Sequence, residues 1–490
     1  MIYSLIVILA VAICFTSLFI FRKKISQQNI NRILKIATIA FFTLGVLRNF
    51  LNDNFIWVIN GGTYSEVYYK NTDIIQSLLR WGHYLAYIVL PCAVFFKIRT
   101  YKNFAIYFCF LVAIIELFFF KQTMSYFLTD STRALDAPVW FRYVEYMLEL
   151  FICLLVPLVM RFIQGHKFDI KNKKEWACFL GLLPLALLIA VPVYLPQSLF
   201  GFTERKMEIL SIENISWIAV NFIIIAIFYF AFRFKSYECR YSVLVFLAML
   251  VFLHYNSIYL MDFIASRLPF QLCNLGAYLV LIALLIKKQG FFDFVLLANV
   301  PGATIAFFAV DVEEGLLSFW NIHFYIEHTW IFVIPLLAVA LRIFKRPSKN
   351  AITHLLIGYS IYFLVCSVGG IIMNCFFFEP THPFFNEVNY FYLFDTTVAS
   401  FLPFLGFTRN YPIELSGYLF YPLYMVLVYI LFFVYCLMFN YVYRIFIKIG
   451  DDHYHLRQIK INMRKESGYY EKHNKQVPQF DYDEKGEMLC

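Results

Sequence analysis

Long apolar runs, separated by short polar stretches, cover most of this chain. A helix needs about 20 predominantly apolar residues to cross the hydrocarbon core of a bilayer. Thirteen runs approach that length, at residues 2–21, 33–51, 75–96, 104–120, 139–160, 177–196, 217–232, 241–260, 268–286, 291–310, 325–344, 353–377 and 417–445. Runs this continuous lack the alternation expected of strands in a membrane β-barrel. The pattern therefore predicts an all-α fold, a polytopic transmembrane helical bundle of about 13 spans.

The charge of the loops alternates along the chain. Loops after odd-numbered runs are rich in Lys and Arg, as at Arg22, Lys23 and Lys24, whereas loops after even-numbered runs are often acidic, as at Glu313 and Glu314. Positively charged loops stay on the cytoplasmic side, so we expect an outside N-terminus and a cytoplasmic C-terminus. The first run precedes its basic cluster, the opposite order from a secretory signal, and we interpret it as a retained span.

Composition divides the chain into three parts. Residues 1–200 contain six predicted spans and form an N-terminal membrane half, and residues 217–445 contain the other seven and form a C-terminal half. Residues 446–490 are polar and mixed in charge. Such a segment cannot bury enough apolar surface to fold alone, so we expect a mostly disordered cytoplasmic tail.

Three residue pairs recur at a constant offset of 178 positions. They are Pro91 and Pro269, Pro157 and Pro335, and Glu149 and Glu327. This recurrence favours a parallel duplication, in which spans 1–6 and 7–12 are related copies and the last span is an addition. The alternative is that these matches arose by chance, because Leu-Pro pairs are easily matched in apolar sequence.

Composition also narrows the function classes. Apolar types make up 61% of the 490 residues and charged types 15%, whereas soluble domains are about one quarter charged. The net charge of +9 lies in loops that orient the helices, so we expect the cell membrane as location and membrane lipid, not nucleic acid, as partner. The eleven Cys are spaced singly, which is typical of free thiols. No zinc or nucleotide motif occurs, so no cofactor is expected; the oligomeric state stays open.

Polar residues near the outer ends of the C-terminal spans form the candidate site. Cys273 lies about 8 Å into its run at 1.5 Å per residue, and His328 is expected at a similar level. A thiol and an imidazole at one depth can act as nucleophile and base in acyl transfer through a thioester, with Glu327 orienting the imidazole. The residues expected to contact the substrate are Gln271 and Asn274, as oxyanion donors, together with His254 and His323.

Plainer interpretations stay open at these positions. Cys273 can be a packed small residue, with His328 an interfacial group bonded to Glu327. Metal binding by His254, His323 and His328 lacks a diagnostic spacing, so no metal site is predicted. The N-terminal half has its own outward polar cluster, whose mixed charges favour ion pairing. It comprises Arg48, Asn49, Arg80, His83, Glu116, Arg142, Glu145 and Glu149.

Three segments of the C-terminal half carry a family resemblance. They are Leu268-Pro269-Phe270-Gln271-Leu272-Cys273, Phe324-Tyr325-Ile326-Glu327-His328 with the later Pro335-Leu336, and Tyr421-Pro422-Leu423-Tyr424. Through them, residues 217–445 resemble the YwaF-type bacterial membrane proteins, which are grouped with the transmembrane protein 164 family. One departure is His323, where the family often has Arg.

This resemblance implies chemistry on lipids. Animal relatives look like lipid acyltransferases with an intramembrane Cys that corresponds roughly to Cys273, and more distant ones look like lipid-ester hydrolases that use Thr and His. The first hypothesis is therefore an enzyme that acts on lipid acyl groups at the outer leaflet. The alternative is a transporter or lipid-handling protein without covalent catalysis, and a third is a scaffold that binds partners through residues 449–490.

Overall fold

The computed structural model describes residues 2–50, 74–120, 139–177, 180–181, 207–260, 264–308, 319–382, 384–396 and 398–473. Within these residues, ten helices are long and apolar enough to cross a membrane, and two further apolar helical stretches are shorter. Twelve of the thirteen predicted spans coincide with these helices, and 177–196 lies almost entirely outside the described residues. The prediction of an all-α polytopic bundle is confirmed. The number of spans and their orientation stay predictions.

Five helices make up the described N-terminal half. They are α1 (Ile2–Phe21), α2 (Gln27–Phe50), α3 (Ile74–Phe95), α4 (Arg99–Phe118) and α5 (Val139–Phe162). α1 packs on α5, α2 packs on α3 and α5, and α4 packs against both α3 and α5. The helix α5 therefore has the most neighbours in this half.

Six helices make up the described membrane part of the C-terminal half before the last helix. They are α6 (Ile212–Phe232), α7 (Tyr237–Asn256), α8 (Leu272–Ile286), α9 (Gln289–Phe308), α10 (Phe319–Ala340) and α11 (Ala351–Phe377). α6 packs on α10, α7 packs on α8 and α10, and α9 packs against α8 and α10, while α11 lies along the first part of α9. The first five repeat the neighbours of α1 to α5. A parallel duplication would produce this pattern.

Two of the residue pairs at the offset of 178 positions are prolines. One of these pairs occupies equivalent positions in the two halves of the fold, and the other does not. Pro157 and Pro335 lie inside α5 and α10, each eight residues after a buried Glu. Pro91 lies inside α3, near its end, but Pro269 precedes α8. The shared offset of Pro91 and Pro269 is therefore no structural correspondence, because the connections between helices differ in length in the two halves.

The two halves pack together through α7. Its Met249 sulfur lies 3.6 Å from the Cys92 thiol of α3, and its Phe252 ring lies 6.0 Å from the Phe42 ring of α2. Within the N-terminal half, α2 and α3 approach closely at Gly45, where a Cβ would lie 2.5 Å from the Tyr87 ring. The absence of a side chain at this glycine lets Tyr87 reach the centre of the half.

The chain between α11 and the last helix folds back over the start of α8. Asn374 exchanges two hydrogen bonds of 2.8 Å with the backbone of Val388. A short antiparallel hairpin follows, with β1 (Ile413–Leu415) paired to β2 (Tyr418–Phe420). This segment therefore covers the end of the bundle at which the candidate site lies.

The last helix is longer than its apolar part. α12 (Pro422–Glu466) spans 45 residues and continues well into the polar segment 446–490, which we expected to be mostly disordered. Strong helix formers such as Lys460, Arg464 and Lys465 are frequent there, and a helix already nucleated in the membrane extends through them at little cost. Residues 474–490 lie outside the described part.

Candidate functional site

α8 and α10 approach each other at a glycine. A Cβ on Gly276 would lie 3.3 Å from the Ile331 side chain, so the two helices are in close contact there. Because α9 returns between them, α8 and α10 run in the same direction. One turn back from this contact, Cys273 and His328 lie at one level along the two helices.

Cys273 and His328 lie on different sides of this contact. Leu272 faces α9, where its Cδ2 would lie 3.0 Å from a Cβ on Gly302. Cys273 is about 100° further around the helix, and its half-buried thiol interacts electrostatically with the carboxylate of Glu327. Glu327 on the neighbouring helix is therefore within electrostatic range of the thiol, whose hydrogen bond goes to Asn274.

The hydrogen bonds of the two predicted catalytic residues do not join them. The Cys273 thiol donates to Asn274 Oδ1 at 3.2 Å, and His328 Nδ1 lies 2.8 Å from the carbonyl oxygen of Phe324. Among the described residues, no hydrogen bond links His328 to Cys273 or to Glu327. The expected Cys–His–Glu chain is not formed, since adjacent residues such as Glu327 and His328 diverge on a helix and do not face each other.

The imidazole that accompanies Glu327 is His323. Its Nε2 lies 3.7 Å from Glu327 Oε2, one turn earlier on α10, a spacing at which helical side chains do meet. The His323 ring stacks on His254 of α7, with centroids 4.6 Å apart and planes 20° apart. The sequence spacing of His323 and Glu327 could have indicated this pair, whereas the stacking of two histidines from separate helices left no sequence signal.

Gln271 holds the chain above α8 in place. Its amide nitrogen donates to the carbonyl of Asn389 at 2.7 Å, and its amide oxygen accepts from the Phe391 N–H at 3.0 Å. Both ends of the side chain are engaged by one backbone segment, so Gln271 shapes the site as a structural anchor. Asn274 stays beside the thiol, as its hydrogen-bond acceptor.

Tyrosine hydroxyls border the same region. Tyr278 of α8 donates to Asn256 Oδ1 at 2.7 Å, and Tyr255 donates to the carbonyl of Arg267 at 2.8 Å. The two rings lie 5.8 Å apart. We did not predict either tyrosine as part of the site, because Tyr is abundant along the whole chain, with 35 residues.

The N-terminal half contains a more tightly bonded cluster. His83 Nδ1 lies 2.6 Å from Glu116 Oε2, and His83 Nε2 lies 3.3 Å from Glu149 Oε2. The Tyr87 hydroxyl donates to Glu149 Oε1 at 2.7 Å. All four side chains are buried, and they connect α3, α4 and α5. Of the residues predicted for this cluster, the side chains of Arg48, Asn49, Arg80 and Arg142 lie outside the described part.

The two clusters have a buried Glu at equivalent positions, and they differ in the hydrogen bonds that their polar atoms make. Glu149 and Glu327 are both buried and both lie eight residues before the proline inside their helix. In the C-terminal cluster, neither ring nitrogen of the fully buried His254 has a hydrogen-bond partner among the described residues, and the same holds for Glu327 Oε1. Unsatisfied buried polar groups are costly in an apolar interior, so this cluster has free capacity to pair with polar atoms of a ligand.

No metal centre is evident in the part of the chain that the structure describes. No group of three or more His, Cys, Asp and Glu side chains there is arranged to hold an ion. His254 and His323 instead stack on each other, and His328 bonds to a backbone carbonyl oxygen.

Comparison with known proteins places the C-terminal half in a family context. The model of the TMEM164 family matches residues 202–438, which contain α6 to α11 and the start of α12. This region is TMEM164-like, in agreement with the resemblance noted in the sequence, whereas the narrower likeness to YwaF-type proteins stays a prediction. No curated protein and no solved structure matches the chain. The helices α1 to α5, with their own buried cluster, lie outside the matched region.

Replacement of His83 by Phe should destabilise the protein strongly. The change removes the imidazole between two buried carboxylates, and breaking such a pair costs about 3–5 kcal/mol. The expected result is a clearly lower midpoint of thermal unfolding in detergent. His473→Phe, at an exposed site, is the matched control and should leave the midpoint unchanged. Equal midpoints for His83→Phe and the unmodified protein would contradict the role given to this cluster.

Proposed function

We propose that this multi-pass membrane protein, with its TMEM164-like region at residues 202–438, transfers or hydrolyses acyl groups of membrane lipids and uses Cys273 as the nucleophile. The observation that carries the proposal is the position of the thiol. It lies opposite a buried carboxylate that is accompanied by His323 and by the unsatisfied His254. Ionisable groups inside a bilayer are costly and usually mark a functional site.

The chemistry follows from these groups. Glu327, together with His323, accepts the proton of the Cys273 thiol as the sulfur attacks the carbonyl carbon of a lipid ester. The new S–C bond forms a thioester, and the C–O bond to the lipid alcohol breaks, with the proton returning to the leaving oxygen. An acceptor hydroxyl, or water, then attacks the thioester and releases the thiol. Nucleophile and base on neighbouring elements are the usual arrangement for this two-step route.

The geometry of the site is most informative about which residue acts as the general base. Glu327 interacts with the thiol, whereas His328 lies at the same level but is bonded to the carbonyl of Phe324. The arrangement favours Glu327 with His323 as the acid–base pair. His328, the base expected from the sequence, is the competing assignment.

A second candidate function is transport or lipid handling without covalent chemistry. The buried His83–Glu116–Glu149 cluster favours it, because ionisable groups within spans often mark the pathway of an ion or substrate. Transport also needs a polar route onward. Along α4, the buried side chains between Glu116 and Asn103 are apolar, as at Ile106 and Ala113, so this helix offers no such route.

Removal of the thiol should abolish covalent labelling by a lipid probe. Purified protein in lipid nanodiscs is treated with a thiol-reactive acyl lipid analogue, and the adduct is located by mass spectrometry. Cys273→Ala should lose the adduct, because Cys273 is the one cysteine in the described ranges with Glu327 as an electrostatic partner. Cys375→Ala, which removes another half-buried thiol, should keep it. Undiminished labelling of Cys273→Ala would remove this residue from the mechanism.

The two assignments of the base predict opposite rankings of variants. Glu327→Gln keeps the shape but not the basicity, and a lost general base lowers the rate about 10²- to 10⁴-fold. We expect that loss in the rate of thioester formation for Glu327→Gln and a much smaller one for His328→Ala. Thermal midpoints of both variants control for folding. The reverse ranking would assign the base to His328.

A flux assay separates the enzyme from the transporter. Proteoliposomes with a pH-sensitive dye inside, or with a fluorescent lipid in one leaflet, should show no flux above that of empty vesicles if the protein is the proposed enzyme. Flux that disappears in a folded His83→Gln variant would favour the second candidate instead.

A further inference from the structure

An apolar groove of about 470 Å³ runs between α8, α9 and α11. α11 contributes a stripe at helical spacing that includes His354, Ile357, Ile361 and Val365. The lining elsewhere consists of Phe, Leu and Gly residues together with one tyrosine. α9 and α11 are brought together at Gly358, where a Cβ would collide with the Phe294 ring. Ligand pockets typically have volumes of this order.

The groove and the candidate catalytic site lie mostly on different faces of α8, although Tyr362, which lines the groove, is within electrostatic range of Cys273. Leu275, which lines it, follows Cys273 by two residues on α8. Two residues correspond to about 200° of rotation around an α-helix, so the two side chains leave opposite faces of α8. A ligand beside Leu275 therefore contacts the opposite face of α8 from the one that carries the thiol.

The length of the groove matches one leaflet of a bilayer. From His354 to Val365 the stripe on α11 extends about 16 Å at 1.5 Å per residue. Half of a hydrocarbon core is about 15 Å thick. A hydrocarbon chain that enters at one membrane surface would thus reach the other end of the groove near the bilayer midplane.

The end of the groove at Gly290 and His354 is the polar and basic end. Lys288 immediately precedes α9 and Lys345 follows α10, and both are exposed. Gln289 ties the two connections together by hydrogen bonds of 3.0 Å to the backbone of Lys345. Lys288 lies two residues before the lining residue Gly290, so the backbone of both lysines lies near the mouth of the groove, beside the start of α9, which has no side-chain cap.

The acidic residue Asp293 lies at this end of the groove, and its carboxylate already has hydrogen-bond partners in the protein. Asp293 is buried, and its carboxylate accepts from His354 Nδ1 at 2.8 Å and from Gln289 Nε2 at 2.8 Å. His354 Nε2 faces Gly290, 3.1 Å from where a Cβ would lie. The charge left for a ligand at the mouth is therefore positive, and it complements a phosphate.

We propose that this groove binds an anionic phospholipid of the leaflet on the basic side, with one acyl chain along α11 and the phosphate at Lys288, Lys345 and the start of α9. The bound chain fills the space between α8 and α11 and supports the back of the helix that carries Cys273. This inference stands independently of the chemistry proposed for that thiol. It predicts a specific lipid in addition to the general lipid layer around the protein.

The test uses the full chain in nanodiscs and a photoactivatable phosphatidylglycerol with its reactive group midway along one acyl chain. Crosslinked peptides should map to α11 near Ile361. Ile361→Trp should reduce the crosslink severalfold by filling the groove, whereas Leu364→Trp should not. These two positions on α11 are matched in exposure, at 59% and 61%, but Leu364 does not line the groove.

The headgroup part of the proposal has its own variants. The double change Lys288→Gln and Lys345→Gln should reduce the crosslink severalfold, and Lys24→Gln, an exposed lysine after α1, should leave it unchanged. A phosphatidylcholine probe of the same design should crosslink less. Equal crosslinking of both probes, or of all variants, would mean that only the surrounding lipid layer is labelled and would overturn the inference. Labelling of Cys273 is recorded on the same samples, so a failure here is distinguishable from a failure of the proposed enzyme chemistry.

Discussion

The bundle is organised by the cost of placing a carboxylate in hydrocarbon. An ionised group that leaves water must be paired or hydrogen-bonded, and each half of the chain buries one Glu at the same place on its fifth helix, Glu149 on α5 and Glu327 on α10. The partners can come only from neighbouring helices or from the next turn of the same helix. This requirement accounts for the central position of α5 and α10 and for the polar residues on the helices that face them.

The two halves meet this requirement differently. In the N-terminal half, His83 and Tyr87 join Glu116 and Glu149 through bonds as short as 2.6 Å. In the C-terminal half, Glu327 has one distant imidazole at 3.7 Å, and a buried histidine beside it has no hydrogen-bond partner among the described residues. Short charge-assisted bonds tie helices together, whereas the buried ring nitrogens of His254 are available to pair with a ligand.

α8 separates two environments within the C-terminal half. Cys273 lies on its side toward α10, Tyr278 bonds to Asn256 of α7, and Leu275, about 200° around the helix from Cys273, borders the apolar groove. The segment that returns over the start of α8 is anchored by Gln271. A single short helix thus carries the proposed nucleophile and one wall of the apolar groove, and the residue just before it anchors the returning chain.

The sequence by itself determined the helical class, most of the span positions and the common level of Cys273 and His328. These depend on the number of apolar residues that cross a bilayer and on the order of the spans, and both can be counted along the chain. The rotation of each helix about its own axis does not follow from such counts. Only the tertiary structure revealed that Glu327 accompanies His323 and not His328. It also revealed that Gln271 is an anchor and that Pro269 does not correspond to Pro91. Nearly every helix here is apolar all round, so its sequence carries little periodicity to say which face is buried, and only packing against the other helices decides which polar side chains meet.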